Sequence, residues 1–203
     1  MRAVQYGFTL IELMVSLAVL GVLVALGAPS FAEWIQNQQI RAATDATLNG
    51  LQVARGQAVA LNKNVSFQFM ADLSSTCQPA PIGAGGALTS VSWVVSVGDP
   101  SNACDKKIGD TPSGPVIQSR SGAEVTPNAL VTTLPASATT VTFTPLGGTT
   151  NNPDGSPAIQ SMTLTNAVLS GSGSRPLRIV INPGGSMRMC DPSAVAPDTR
   201  ACP

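Results

Sequence analysis

The positions of apolar and polar residues divide the chain into two parts of different character. Residues 13–28 contain no charged side chain, and residues 8–28 contain only one, Glu12. About 20 apolar residues in a helix are enough to cross a bilayer. Residues 33–47 are mostly polar, and a stripe of apolar positions then recurs at steps of three and four: Leu48, Leu51, Ala54, Ala58 and Leu61. The pattern predicts one helix over residues 8–61, apolar in its first half and amphipathic in its second.

Two residues mark the end of the apolar run. Pro29 follows it directly, and a proline inside a helix removes one hydrogen bond and bends the helix. We therefore predict a kink at Pro29. Trp34 comes shortly afterwards, where such a helix would leave lipid, and tryptophan is common at the lipid–water boundary.

After Asn62 the apolar residues alternate with polar ones. Val65, Phe67 and Phe69 alternate in this way, which is typical of strands with one face on a core. Further strands are predicted at residues 91–97, 141–143, 161–169 and 177–181. Turn-forming residues separate them, at residues 79–86, 109–115, 147–157, 171–174 and 182–185. Short return loops favour an antiparallel sheet folded over the helical stripe, so the predicted fold class is α+β.

The chain has four cysteines and no histidine. Four cysteines allow three pairings, and the sequence alone does not choose among them. Their separations favour Cys77 with Cys104 and Cys190 with Cys202, because each pair brackets a turn-rich loop. Four reduced thiols are the alternative, whereas a zinc site is disfavoured because the chain has no C-x-x-C pair. Disulfides would place the protein in an oxidising compartment.

Residue types give catalysis little support. Eleven basic and eleven acidic residues cancel, so no net charge draws the chain toward nucleic acid. Without histidine there is no Ser-His or Cys-His nucleophile and no imidazole metal site. Neither a phosphate-binding G-x-x-x-x-G-K-[ST] motif nor a G-x-S-x-G motif occurs. We expect a protein that is not an enzyme and has neither cofactor nor metal.

Glu12 is the unusual residue of the apolar run. A carboxylate inside a hydrocarbon core costs about 2.5 to 3.5 kcal/mol on insertion scales, so a simple anchor would gain by losing it. The sequence offers no obvious partner nearby. Cleavage between Gly7 and Phe8 would create one, a new amine four residues upstream on the same helix. The amine of a neighbouring copy would serve equally.

The string Gly7-Phe8-Thr9-Leu10-Ile11-Glu12-Leu13-Met14-Val15 resembles the type III signal sequence of type IV pilins and type II secretion pseudopilins. The resemblance implies that a prepilin peptidase cleaves after Gly7 and that the Phe8 amine is then N-methylated. It also implies that Glu12 pairs with the Phe8 amine of an adjacent subunit during assembly.

Two alternatives give the same apolar run another meaning. An ordinary signal peptide would be cut near Gly27 or Ala32, where small residues stand, but it would normally lack an acid near the start of its apolar core. A plain one-pass anchor for an unrelated periplasmic domain would have no use for Glu12. Whichever meaning the apolar run has, Arg2 and the terminal amine favour keeping the N-terminal end of the chain in the cytoplasm.

The chain more widely resembles the minor pilin and pseudopilin branch called GspH/FimT. The resemblance rests on the N-terminal block, on the strand-rich body and on residues 178–192, RIVINPGGSMRMCDP, with the ending Cys202-Pro203 adding the likely loop partner. It implies a low-abundance subunit that starts filaments or lies near their tips. Some members are DNA receptors that use a Gly-Arg-x-Arg motif. Here the string is Gly185-Ser186-Met187-Arg188, so Ser186 replaces the first arginine, and Arg178 and Arg188 are left as candidate DNA-binding residues.

The prediction as a whole is a type IV pilin-like protein. Residues 1–7 form the leader, 8–28 the transmembrane and assembly helix, 29–62 its amphipathic continuation, and 63–203 a β-rich periplasmic domain. We expect a minor type IV pilin that helps to prime the pilus, with a type II secretion pseudopilin or a DNA receptor as alternatives. Expected partners are other pilins or pseudopilins, the prepilin peptidase, the inner-membrane assembly platform and the membrane itself. The expected location is the bacterial inner membrane and then the filament.

Overall fold

The computed structural model describes residues 7–122, 127–169 and 173–203. Residues 1–6 of the predicted leader and residues 171–172 of a predicted turn therefore lie outside the described residues. One long helix, α1, spans Leu10–Leu61, and a 3-10 helix spans Ala84–Gly86. The strands, in chain order, are β1 Val65–Met70, β2 Ala87–Leu88, β3 Ser92–Ser96, β4 Val116–Arg120, β5 Ala129–Leu134, β6 Thr140–Phe143, β7 Thr149–Thr150, β8 Ser161–Asn166, β9 Leu177–Ile181 and β10 Met187–Cys190.

Helix α1 begins and ends with residues suited to those positions. Thr9 is its N-cap, in extended backbone, which is where threonine satisfies free N–H groups. Asn62 ends it in the left-handed conformation, with φ at 51°, and its N–H donates to the carbonyls of Ala58 and Val59. Asparagine tolerates this conformation better than other side chains do. The predicted helix over residues 8–61 is thus present, beginning two residues later.

The strands form two five-stranded sheets in which every neighbouring pair is antiparallel. The first sheet has the order β4-β3-β1-β6-β7, and the second has the order β10-β9-β8-β5-β2. Helix α1 packs against strands of both sheets. The α+β fold with a long N-terminal helix on antiparallel strands is confirmed, with the strands divided between two sheets.

The core lies between α1 and the inner faces of both sheets. Leu51, Ala54 and Ala58 of the predicted stripe are fully buried, whereas Leu61 is 43% exposed and belongs to the helix end rather than to the core. The mostly polar segment at residues 33–47 also contributes more buried residues than its sequence pattern suggested. Its buried members are Ile40, Ala43, Thr44, Ala46 and Thr47. Thr44 and Thr47 bury their hydroxyls by donating to backbone carbonyls one turn earlier.

Five strands were absent from the prediction, and four of them are sheet edges: β2, β4, β7 and β10. An edge strand is held on one side only, so its sequence carries a weak alternation. Only Val116 of β4 is buried, for example. The fifth, β5, alternates buried and partly buried residues over Ala129–Leu134 and could have been found from its Val and Thr content. The predicted strand at residues 161–169 ends early, because the side chain of Asn166 accepts from the N–H groups of Val168 and Leu169.

Candidate assembly and anchoring site

The N-terminus of α1 is closed by hydrogen bonds between Thr9 and Glu12. Thr9 Oγ1 accepts from the Glu12 N–H at 3.3 Å, while Glu12 Oε2 accepts from the Thr9 N–H at 2.9 Å and from its hydroxyl at 2.8 Å. This reciprocal pair is a capping box. The prediction that Glu12 has no partner nearby was therefore wrong. The signal was present in the sequence as Thr-x-x-Glu ahead of an apolar run.

The capping box leaves the negative charge of Glu12 uncompensated. Both donors belong to Thr9 and are neutral, and the carboxylate forms no ion pair with any residue that the structure describes. A carboxylate can accept about four hydrogen bonds, so this one retains capacity for an ammonium group. Hydrogen bonding to Thr9 orients the carboxylate without neutralising it.

Gly7 and Phe8 lie ahead of the helix, in backbone without helical hydrogen bonds. The Phe8 side chain is 90% exposed. Their peptide bond is therefore reachable by an enzyme without unwinding α1. The rest of the leader lies outside the described residues.

The first half of α1 is an apolar surface that no other described part of the chain covers. From Leu10 to Leu26 its large apolar side chains are all more than half exposed. Helix α1 is bent, and neither of its two segments, Leu10–Leu26 and Ser30–Leu61, is by itself both long and apolar enough to cross a membrane. The two segments reach that length and composition together. They differ in direction by 42°, and the break between them contains Pro29.

Arg178 and Arg188 lie on neighbouring strands of the second sheet. Arg188 pairs with Val180, and Cys190 with Arg178, so the two arginines are diagonal neighbours on one face. Both guanidinium groups bind the chain itself. Arg188 Nη2 donates to the carbonyl of Thr199 at 2.8 Å, and Arg178 Nε donates to Thr163 Oγ1 at 3.0 Å.

The C-terminal residues lie beside the end of β10, where Ala201 forms a parallel bridge with Asp191. The Asp191 N–H donates to the Arg200 carbonyl at 2.8 Å, and the Cys190–Cys202 disulfide closes the loop. Inside the loop, Arg200 contacts Asp198 at 2.7 Å, and this hydrogen-bonded guanidinium lowers the pKa of the Asp198 carboxyl to about 2. The second disulfide joins Cys77 to Cys104, and it packs on Met70, Val94 and Val116 outside the first sheet.

Three helix residues that hold α1 to the domain were not singled out from the sequence. The Asn37 side chain donates to the Gly173 carbonyl at 2.8 Å and accepts from the Arg175 N–H at 2.9 Å. Gln36 accepts from Asn166, and Arg55 donates to the Gly147 carbonyl at 2.9 Å. The sequence signal for Gln36 and Asn37 is an amide side chain in a helix that is about to become amphipathic, and for Arg55 it is a charged side chain within the amphipathic half. Over residues 7–122, 127–169 and 173–203, no group of three or more His, Cys, Asp or Glu side chains could hold a metal ion.

Comparisons with known proteins match two separate parts of the chain. Residues 43–185 match the model of the family described as type II transport protein GspH, and residues 2–28 match the prokaryotic N-terminal methylation motif. No curated protein matches the chain. Two crystal structures of the type IV minor pilin FimU of Pseudomonas aeruginosa are similar in fold. One is 16% identical with a TM-score of 0.43, covering 76% of this chain and 94% of its own, and the other is 18% identical with a TM-score of 0.45, covering 81% and 95%.

The family match and the N-terminal motif concern different parts of the chain and agree with each other. The first covers well over half of the residues, including every described strand except β10, and the second covers the apolar half of α1. The protein is therefore a member of the GspH family, with the structural role of a minor pilin or pseudopilin.

Proposed function

We propose that this protein is a minor type IV pilin, a low-abundance subunit that helps to prime the pilus. The observation that carries the proposal is Glu12, whose carboxylate stands uncompensated at the start of an exposed apolar helix. Cleavage after Gly7 would turn the Phe8 nitrogen into an ammonium group, which N-methylation leaves charged. In a bundle of such helices, the Phe8 ammonium of one subunit would meet Glu12 of the next. A buried carboxylate is tolerable when it is both paired and hydrogen-bonded, and Thr9 already supplies the hydrogen bonds.

The same reasoning divides the chain by function. Residues 1–7 are the leader removed by the prepilin peptidase, 8–28 the membrane and assembly helix, 29–62 its continuation, and 63–203 the periplasmic domain. We place the new subunit in the inner membrane with a single pass, and its partners are other pilins and the assembly platform. The two disulfides support this placement, because disulfides persist in an oxidising compartment such as the periplasm.

A minor pseudopilin of a type II secretion system is the second candidate. The description of the matched family, type II transport protein, favours it. Both machines need the same processing and the same pairing of Glu12, so the geometry of the chain serves either. Components encoded beside the gene would separate them, pilus proteins favouring the first candidate and secretion proteins the second.

DNA binding finds less support in the arrangement of the arginines. Arg188 holds the C-terminal loop, and Arg178 is engaged by Thr163. DNA affinity depends on cations that are free to neutralise phosphates. We therefore do not propose a DNA receptor.

The proposal is tested by the N-terminus of the mature protein. Mass spectrometry of the protein isolated from membranes should find a chain that begins at Phe8 and carries one added methyl group. Gly7→Ala should leave the leader attached. Gly21→Ala is the matched control, because an added Cβ at Gly21 has no described neighbour within 4 Å, and it should be processed normally. A mature chain that starts anywhere other than Phe8 would contradict the proposal.

A further inference from the structure

A cleft of about 690 Å³ lies between α1 and the C-terminal part of the domain. One helix face forms the first wall, with Ser30, Trp34 and Arg41 among its residues. Residues 173–177 and the end of β10 contribute to the second wall, with Arg175 and Asp191 among its residues. The cleft thus follows the helix from the first residues after the bend up to the level of Arg41.

With the apolar half of α1 spanning a bilayer, the lower end of the cleft would lie at the level of the bilayer surface. The 22 residues from Leu10 to Phe31 span at most about 32 Å, and somewhat less because of the bend, which is close to a hydrocarbon core of about 30 Å. Phe31 and Trp34 stack there with ring centroids 5.7 Å apart, and they are 61% and 56% exposed. Exposed aromatic pairs of this kind are typical of the headgroup region. With the first half of α1 in the membrane, the cleft opens among lipid headgroups.

The cleft carries unpaired charge of both signs. Arg41, Arg175 and Glu33 line it, and none of them forms an ion pair with another described residue. The backbone of Arg175 is held against α1, because its amide N–H donates to the Asn37 side chain. The Glu33 carboxylate lies beside the same loop, since a Cβ built at Gly173 would be 3.4 Å from it. Asp191 also lines the cleft without an ion pair to another described residue, so two arginines and two carboxylates are grouped around a concave surface. The third arginine of the cleft, Arg200, already pairs with Asp198.

We propose that this cleft binds the headgroup of a zwitterionic amine phospholipid from the outer leaflet. Arg41 and Arg175 hold the phosphodiester, for which the guanidinium fork is suited, and Glu33 accepts from the ammonium. The side chain of Arg41 leans toward the membrane, because side chains of a helix tilt toward its N-terminus. Phe31 and Trp34 lie against the acyl chains just below. The inference rests on the proposed function in one respect, namely that the first half of α1 is embedded in a membrane.

Such a lipid would hold the domain against the bilayer at the point where the helix bends. It would leave the cleft when the subunit moves from the membrane into a filament. The cleft is thus a membrane-side contact of the subunit before assembly.

The test uses the full-length protein in vesicles of equal parts phosphatidylethanolamine and phosphatidylglycerol, followed by mild detergent extraction and native mass spectrometry. The wild type should retain one phosphatidylethanolamine. The double variant Arg41→Gln/Arg175→Gln should retain it roughly tenfold less, because hydrogen bonds to charged groups are the strong contacts of such a site. The control Lys63→Gln/Arg120→Gln makes the same change of charge at exposed positions outside the cleft and should behave like the wild type.

Glu33→Gln is a second variant that leaves both arginines intact. It should abolish the preference for phosphatidylethanolamine over phosphatidylglycerol while lipid is still retained. Equal retention by the wild type and the arginine double variant would overturn the proposal, as would equal retention of the two lipids by the wild type. Displacement of the lipid by millimolar inorganic phosphate would also overturn it, since the site would then be one for a free anion.

Two further readouts keep this inference apart from the proposed function. Resistance to alkaline carbonate extraction reports on membrane insertion. If carbonate extracts the wild-type protein from the membrane, the proposed function itself is wrong. Normal insertion with unchanged lipid retention in the arginine double variant would defeat only the lipid site. If the double variant loses cross-links between subunits while it keeps its lipid, the cleft is a contact between copies of the chain and the proposal is wrong.

Discussion

Arg55, on the second half of α1, donates through its Nε to the carbonyl oxygen of Gly147 at 2.9 Å. Gly147 belongs to the turn between β6 and β7 in the first sheet. The turn between β9 and β10 of the second sheet meets it there, because the Thr149 N–H donates to the Pro183 carbonyl at 2.9 Å. One helix side chain and two turns thus tie both sheets to α1 at the end of the domain far from the bend.

Gly185 is the position in this junction where a substitution should be tolerated least. Its φ is +76°, and a Cβ there would overlap the Gly147 carbonyl oxygen that Arg55 binds. Gly185→Ala should lower the free energy of unfolding by about 2 to 4 kcal/mol, from left-handed backbone strain together with the displaced turn. Denaturation of the detergent-solubilised protein in urea measures this. Gly184→Ala is the matched control, because it has no positive φ and no neighbour within 4 Å, and it should change stability little. Equal losses of stability in Gly185→Ala and Gly184→Ala would show that the two turns do not meet in this junction.

Gly50 and Gly56 form a second matched pair, on α1. A Cβ at Gly50 would lie 2.9 Å from ring atoms of Phe67 and Trp93, whereas one at Gly56 meets nothing within 4 Å. Gly50→Ala should destabilise the protein by about 1 to 3 kcal/mol through overpacking. Gly56→Ala should stabilise it by up to about 1 kcal/mol, because alanine is the better helix former. Thermal unfolding followed by near-ultraviolet circular dichroism compares them, and the same sign for both changes would show that α1 does not rest on these rings.

Glu12 caps α1, and we propose that it also pairs with the neighbouring subunit; substitution can separate these two roles. Glu12→Val should leave membrane insertion intact, because it removes a charge from an apolar segment, yet strongly impair incorporation into filaments. Thr9→Ala removes the capping partner at a cost of about 1 kcal/mol and leaves the carboxylate, so incorporation should continue. Immunoblots of sheared filaments and of membranes measure both quantities. If Thr9→Ala impairs incorporation as much as Glu12→Val does, then Glu12 serves the helix end rather than the contact between subunits.

Arg188 should contribute to the stability of the fold rather than to binding of nucleic acid. Arg188→Ala removes two hydrogen bonds to the C-terminal loop, to the carbonyls of Thr199 and Ala201. The loss should be roughly 1 to 2 kcal/mol of unfolding free energy, at the modest end because the side chain is exposed. Arg120→Ala, an exposed arginine at the end of β4, should cost less than half as much. A gel shift in low salt that shows weaker DNA binding by Arg188→Ala alone would revive the receptor hypothesis.

The pair Asp198 and Arg200 predicts a specific titration. The Arg200 guanidinium lowers the pKa of the Asp198 carboxyl to about 2 from an ordinary value of 3.8. Because the folded-state pKa is the lower one, any stability that the pair adds is present above about pH 4 and is lost as the pH falls through 2. The pair is exposed, so this contribution is small. Carboxyl carbon chemical shifts should show Asp198 titrating near pH 2 in the wild type and nearer 3.8 in Arg200→Gln. An unchanged titration in the variant would mean that the pair does not persist in solution.

Much of the fold could be predicted because its signals are local. The long helix and the apolar–polar alternation of the β1 sequence each depend on residues close together in the chain, whereas the burial of all six β1 residues depends on the packing around both faces of the sheet. The edge strands could not be predicted, because β4 and β10 gain their backbone partners only when β3 and β9 lie beside them. Of the candidate site, the motif residues Gly7, Phe8 and Glu12 were found and remain predictions in their roles. The capping partner Thr9 was missed although its spacing was visible.

By itself, the sequence determined three features of the first sixty residues. They are an apolar run long enough for a membrane, one acidic residue within that run, and a proline where the run ends. These depend on hydrophobicity and spacing along one helix, which need no other part of the chain. The tertiary structure alone decided that Asn37 and Arg55 attach that helix to the domain. It likewise decided that Arg188 binds a loop and that Arg41, Arg175 and Glu33 share a cleft. The partners of these polar side chains are as many as 138 positions away, and only the packing of two sheets against α1 brings them together.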